Sequence, residues 1–291
     1  MNISIGIVTY NRPETLKRVL DSLKTQTKKP LEIIIVDSSE DNETEKLVKK
    51  YKKIKYIHTK NRVYLPAARN MILKKCKGEI ISFLDDDAIP EKKWLENVEK
   101  GFVEFDVVGV TGPALNTDND LKPTEKIIRT NKNQNYFTSS GDIRCEARRW
   151  IPSKPVFCSI MLGANMSFLV EPLREIGFDE FYGRDAAVRE DTDPQIALIK
   201  KGYKFVYVPG ALVYHLKNQK GGIRANPKGN YFFWAGVNHR HLADKYFPKW
   251  KSRLSWIFWS INPPCLWLCV ALAIIRRDPS ILKWHKGLWY G

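Results

Sequence analysis

Phe83-Leu84-Asp85-Asp86-Asp87-Ala88-Ile89-Pro90 decides how the chain is read. The apolar run Glu79–Leu84 has the length and composition of a buried strand, and it stops at three consecutive carboxylates. Open α/β sheets take their ligands at the carboxyl ends of their strands. Three adjacent Asp are poorly accommodated unpaired, so a divalent cation is the natural counter-charge, and hard oxygen ligands suit Mg²⁺ or Mn²⁺. Strand alternation puts Asp85 and Asp87 on one side and Asp86 on the other. Asp-Asp before Pro is also ordinary turn and cap chemistry, but three Asp behind a buried strand favour ion binding.

Outward from that segment, apolar runs alternate with amphipathic ones, the pattern of a mostly parallel α/β sheet. Strands are predicted at Ile3–Thr9, Leu31–Val36, Lys55–His58 and Val107–Val110, and helices at Pro13–Gln26, Glu43–Tyr51 and Pro66–Lys75. In the first of these helices Leu16, Val19, Leu20 and Leu23 recur at helical spacing. Pro90-Glu91 is expected to open a helix carrying Trp94, Leu95 and Val98. Residues 117–155 lose periodicity and read as a long polar insertion or loop that could cover a bound ligand. Regular structure resumes at Ser159–Val170, with helices near Glu171–Ile176 and at Pro194–Lys201, and a strand Lys204–Val208 continuing to His215. A boundary near residue 216 separates this unit from a basic, Trp-rich helical region at 217–291.

Lys and Arg number 48 against 32 Asp and Glu, a net charge of +16 that favours anionic partners or a lysine-rich solvated exterior. Seven of nine Trp fall after residue 230, interleaved with Lys and Arg, which is closer to a membrane-interface pattern than to a nucleic-acid one. Leu254–Ile275 is uncharged and flanked by Lys251, Arg253, Arg276 and Arg277. Asn262-Pro263-Pro264 breaks it in the middle. Two short helices in one leaflet are the preferred reading. The alternatives are helices packed on the domain or on a second copy, or one kinked span. Five scattered Cys without a CxxC pair argue against a disulfide scaffold or zinc module. The opening MNISIGIVTY reads as a strand with no charged leader before an apolar stretch, so a reducing cytoplasmic setting is expected.

Other strand and helix ends carry candidate chemistry. Val8-Thr9-Tyr10-Asn11-Arg12 and Val36-Asp37-Ser38-Ser39 offer hydrogen-bonding groups suited to an aromatic base and a ribose, although such residues commonly end strands. Arg69, near a helix start, could meet phosphate oxygens or be a plain exposed helix arginine. Arg189-Glu190-Asp191-Thr192-Asp193 holds more acids than a helix cap requires. His215 closes an apolar strand as a metal or phosphate ligand, or as a surface histidine.

Taken in order, these pieces resemble the inverting GT-A glycosyltransferases of family 2. The matching segments are Ile7-Val8-Thr9-Tyr10-Asn11-Arg12-Pro13, Ile35-Val36-Asp37-Ser38, Ala68-Arg69-Asn70, Phe83-Leu84-Asp85-Asp86-Asp87, Gly163-Ala164-Asn165-Met166, Arg189-Glu190-Asp191 and Val208-Pro209 through His215. The resemblance implies a mostly parallel, Rossmann-like nucleotide-binding sheet flanked by helices over residues 1–216. It also implies a nucleotide-sugar donor, a UDP-sugar above others, and a glycan or lipid-linked saccharide acceptor. Thr9, Tyr10 and Asp37 would hold base and ribose, Arg12, Asp85 and Asp86 would contact the donor, and Arg69 would lie near the diphosphate. Asp87 would bind Mn²⁺ or Mg²⁺ with Asp85 and His215, and Asp191 would be the catalytic base. Asp37-Ser38-Ser39-Glu40 stands where many members read Asp-Asp-Gly-Ser, and Tyr64-Leu65-Pro66 precedes Ala-Arg-Asn where a glycine is frequent. A peripheral enzyme on the inner face of the cell membrane is the expected setting. Two rivals fit less well. A nucleic-acid-binding protein does not explain Asp85-Asp86-Asp87, and a metal-dependent sugar nucleotidyltransferase lacks its Gly- and Lys-rich phosphate loop. A dehydrogenase is disfavoured because no GxGxxG follows the first strand.

Overall fold

In the computed structural model, which describes residues 1–138, 143–183, 188–217 and 231–248, the apolar runs assemble into one eight-stranded sheet. Its strands are β1 (Ile3–Thr9), β2 (Glu32–Asp37), β3 (Ile54–His58), β4 (Ile80–Asp85), β6 (Gly109–Thr111), β10 (Val156–Cys158), β11 (Asn165–Leu169) and β12 (Phe205–Tyr207). They lie in the order β10-β12-β6-β11-β4-β1-β2-β3. β3, β2, β1 and β4 run parallel, and β11 is antiparallel to both β4 and β6. A second sheet has the order β5-β13-β7, formed by β5 (Ala88–Pro90), β7 (Ala114–Thr117) and β13 (Val213–Leu216).

Alternation along the strands feeds two cores. Ile3, Ile5 and Ile7 of β1 and Leu84 of β4 face α1 (Pro13–Lys24), α2 (Glu43–Val48) and α4 (Trp94–Glu104). Val8, Ile81 and Phe83 face α3 (Leu65–Lys75), α5 (Val170–Ile176) and α6 (Thr192–Lys200). Each fully buried Ile or Leu contributes about 1.5–3 kcal/mol. α3 sits tightly on β1, where a Cβ on Gly6 would come within 2.7 Å of Ile72. That close approach brings Arg69, one turn earlier on α3, over the end of β4.

Register decides which ends meet. Thr9 lies opposite Asp37, and Val8 opposite Asp85, so the carboxyl ends of β1, β2 and β4 stand side by side. The chain leaves β1 toward β2 and β3 and then returns to β4 on the other flank, which opens a crevice at those ends.

Two local readings change. Pro90 does not open a helix. Ala88–Pro90 pairs instead with β13, Pro90 opposite Val213, and α4 starts at Trp94. β5 is an edge strand, where the missing proline N–H breaks no ladder. The expected strand from Lys204 to His215 is divided. A turn at Pro209-Gly210, closed by Ala211 N–H donating to Val208 O at 3.0 Å, sends β12 to the large sheet and β13 to the small one.

Within the polar insertion, β8 (Asn135–Phe137) and β9 (Ile143–Cys145) pair antiparallel. The insertion is pinned to the sheet by fully buried Trp150, stacked 4.3 Å from Tyr207, whose hydroxyl donates to Trp150 O at 2.7 Å. α7 (Tyr231–Tyr246), from the basic C-terminal region, packs against α6, with Leu242 and Phe247 meeting Tyr182 and Ile196. Lys245 Nζ reaches Asp179 at 2.8 Å and Asp193 at 3.0 Å. The uncharged run Leu254–Ile275 lies outside the described residues. Among those residues, no helix is long and apolar enough to cross a membrane.

Candidate active site

Asp85, Asp87 and His215 present one ligand atom each, all within 4.8 Å of one another. β4 delivers Asp85, and the Asp86-Asp87 turn leads directly into β5. The pairing of β5 with β13 sets His215 opposite Ala88, next to Asp87, whose carbonyl accepts from Leu216 N–H at 2.9 Å. His215 Nε2 stands 3.4 Å from Asp87 Oδ1. Asp85 is the open member, its side chain 35% exposed, while Asp87 is buried.

Asp86 lies with Asp87 in the turn between β4 and β5, where strand alternation no longer applies, and is not one of the three converging ligands. Its Oδ2 accepts from Thr9 Oγ1 at 2.8 Å, and its Oδ1 from Arg12 Nη1 at 3.0 Å. The same Arg12 nitrogen donates to Asp87 Oδ2 at 2.7 Å, so one guanidinium serves two carboxylates. Burial pushes the Asp86 carboxyl up, the charge of Asp87 adds to this, and Arg12 opposes both. Asp87 is pushed up by burial and then by Asp85, against Arg12 and Arg148. Burial works against the Arg12 charge too, but Asp86 and Asp87 outweigh it and raise its pKa.

A divalent cation fits these residues. Two carboxylates and an imidazole converge, and Asp87 Oδ1 is buried with no hydrogen-bond donor among the described residues. Burial penalises the charge of Asp87, a penalty that a bound dication would reverse.

The expected base and ribose contacts are differently disposed. Thr9 is buried, and its hydroxyl is spent on Asp86. Asp37 is fully buried: one oxygen accepts from Ser39 N–H and Oγ, the other from Tyr56 Oη at 2.7 Å. Tyr10 donates to Glu40 at 2.7 Å, and the Arg62 guanidinium lies 4.8 Å from its ring centre. These residues shape the strand ends, and the Arg62 guanidinium lies over the ring of the buried Tyr10.

Across the crevice, Asp191 stands immediately before α6. Its Oδ2 accepts from Gly163 N–H at 2.9 Å, and its Oδ1 from Thr192 Oγ1 at 3.1 Å. Arg189 just before it holds a φ of 74°, a conformation that costs a non-glycine residue about 1–3 kcal/mol and persists where surrounding contacts impose it. A Cβ on Gly163 would lie 2.9 Å from Asp191 Oδ2 and 3.1 Å from Arg69 Nη2, so a side chain there would displace the Asp191 carboxylate. Arg69 joins the two halves: Nη1 donates to Glu190 Oε1 at 3.1 Å, and Nη2 is 3.9 Å from Asp85 Oδ1.

Sequence reasoning missed three participants. Glu190 was one acid among several. Gly163 was visible in Gly163-Ala164-Asn165-Met166 but had no assigned role. Arg148 lies in the polar insertion and donates to Asn116 Oδ1 at 2.9 Å, with Asn116 in register beside His215.

Comparisons with known proteins bear on the family and the fold. Residues 4–162 match the family model described as glycosyl transferase family 2. The chain is 28% identical over 242 residues to a chondroitin synthase of Pasteurella multocida (strain Pm70), covering 74% of this chain and 25% of that protein. It is 40% identical over 87 residues to the UDP-Glc:alpha-D-GlcNAc-diphosphoundecaprenol beta-1,3-glucosyltransferase WfaP of Escherichia coli, covering 29% of this chain and 35% of that one. The chain thus spans about a quarter of the synthase's length. Among solved structures, GalNAc-T7 with UDP, GalNAc and Mn²⁺ superposes with a TM-score of 0.71 at 17% identity, over 90% of this chain and 50% of that one. With the family model covering more than half of its length, and the GT-A fold around its crevice, this chain belongs to glycosyl transferase family 2.

Proposed function

We propose that this chain is a glycosyltransferase that moves a sugar from a UDP-sugar donor to a hydroxyl of a growing or lipid-linked glycan, in one inverting displacement assisted by a divalent cation. The observation that carries this is the pairing of Asp85, Asp87 and His215 on one wall of the crevice with Asp191 on the other. Asp85, Asp87 and His215 would hold the cation, and a mixed oxygen and imidazole set favours Mn²⁺ over Mg²⁺. When bound, it supplies positive charge to the departing diphosphate.

The chain's own residues do the rest. Thr9 and Asp37 fix the strand ends against which base and ribose lie, and Tyr10 faces the base. Arg12 and Asp86 sit on the diphosphate side of the cluster. Asp191 takes the proton of the acceptor hydroxyl while its oxygen attacks the anomeric carbon. The bond to the diphosphate breaks as the new bond forms, and its electron pair leaves with UDP. An ionised carboxylate has about four lone-pair sites, so the bonds from Gly163 and Thr192 leave Asp191 room for that proton.

WfaP, by its name, acts on a diphosphoundecaprenol-linked sugar, which supports a lipid-linked acceptor here. Such an acceptor would set this enzyme at the inner face of the cell membrane, with the basic, Trp-rich C-terminal stretch toward anionic headgroups. Calorimetry of the full chain with UDP and UDP-sugars, with Mn²⁺ and then after chelation, tests the donor. Binding that tightens only with the metal, followed by transfer to a lipid-linked saccharide, is expected. Tight binding of an oligonucleotide with no response to UDP would overturn the reading.

A further inference from the structure

We propose that Arg69 is a positioning residue that holds the base loop through Glu190 and Gly163, and that it does not contact the donor's phosphates. This rests on the reading of Asp191 as the base. Arg69 is 2% exposed, and its guanidinium lies 5.8 Å and 5.6 Å from the ring centres of Phe83 and Phe178. A phosphate contact would need this group at the wall of the crevice, but the two rings and Glu190 close it in.

Every polar contact recorded for that guanidinium leads toward Asp191 or Asp85. Nη1 donates to Glu190 Oε1 at 3.1 Å, and Glu190 is adjacent in sequence to Asp191. Nη2 donates to Gly163 O at 3.5 Å, while Gly163 N–H holds Asp191 Oδ2 at 2.9 Å. The remaining approach is 3.9 Å, from Nη2 to Asp85 Oδ1. The side chains of Arg69 and Glu190 are 3% and 5% exposed, an ion pair sealed between the metal-ligand wall and the base wall. The planar fork of arginine can reach a carboxylate and a carbonyl together, which a lysine ammonium on a flexible stem does less well. Arg69 therefore fixes the distance between the strand end that carries Asp85 and the loop that carries Asp191.

Arg69→Lys and Glu190→Gln in the full-length enzyme test this, with UDP affinity measured calorimetrically in Mn²⁺ alongside kcat, donor KM and the pH dependence of kcat. Glu190→Gln keeps shape and an acceptor oxygen, so it serves where Arg69→Lys fails to fold. In both, kcat should fall about 10–100-fold, the loss expected when a reacting group is misplaced by about 1 Å. UDP affinity and KM should stay within about twofold, and the pH limb that reports the base should move. A drop in UDP affinity of about tenfold with kcat retained would make Arg69 a phosphate contact and overturn the proposal. A lower melting temperature with kcat and the pH limb unmoved would also overturn it, reducing Arg69 to a structural ion pair. Wild-type enzyme that neither binds UDP nor transfers sugar would bring down the donor assignment itself, and this proposal with it.

Discussion

The two walls of the crevice handle charge in opposite ways. On the donor wall, Arg12 is shared between Asp86 and Asp87, His215 stands beside Asp87 and Arg69 reaches Asp85 only at 3.9 Å, and burial drives the carboxyls of Asp86 and Asp87 toward the neutral form. On the base wall, Glu190 is matched by Arg69, and Asp191 by a backbone N–H and a hydroxyl. The first wall carries buried carboxylate that a cation would complete under the proposed function; in the second, each carboxylate already has its partners. A substitution on the donor wall should therefore show first in ligand binding, and one on the base wall first in turnover.

The largest break in that contrast is Asp191→Asn. Transfer should fall about 10²–10⁴-fold, the usual worth of general-base assistance, while UDP titrates as in the wild type. Next comes Asp87→Ala, which removes a buried member of the cluster. UDP binding should lose its dependence on Mn²⁺, and transfer should fall about 10²–10³-fold, as when a group facing developing charge is deleted. Equal losses of binding and turnover in both variants would erase the distinction between the walls.

Gly163→Ala sharpens the comparison without touching a charge. Its Cβ would press on both Asp191 and Arg69, so kcat should drop about 10–100-fold with UDP affinity preserved. A stability loss of about 1–3 kcal/mol by urea denaturation should accompany it.

The smallest effect concerns the outer support of the base wall. Burial of Asp179 disfavours its charge, but Lys245 and His241 more than offset this and lower its pKa to about 2. A carboxyl lowered in the folded state contributes stability above its ordinary value near 3.8, and that contribution fades as pH falls toward about 2. Asp179→Asn should therefore be less stable than wild type at about pH 6, with the gap in urea midpoint closing toward about pH 2.5. A gap that stays constant with pH would show that Asp179 contributes by packing alone.

Much of the donor wall was legible in the sequence because it is local. An apolar run followed at once by acids defines β4 and the turn behind it, whereas strand alternation did not foresee that Asp86 and Asp87 leave the strand and share Arg12. The parallel sheet followed from the spacing of apolar runs and amphipathic helices. What escaped was non-local. The Arg69–Glu190 pair spans 121 residues, and Arg12 meets Asp87 across 75, and neither pattern announces the other. The turn at Pro209-Gly210 divides one apolar run between two sheets, and only the pairing with β5 reveals how His215 reaches Asp87. The polar insertion lacked periodicity because its fixed points are single residues such as Trp150, not a repeating face.

The most direct test of the donor wall is the anomalous scattering of Mn²⁺ in crystals soaked with the metal and UDP. The account predicts one strong peak in coordination contact with Asp85, Asp87 and His215, with the diphosphate against it and Asp191 still bonded to Gly163. A peak elsewhere, or UDP bound with no metal among those three side chains, would contradict it.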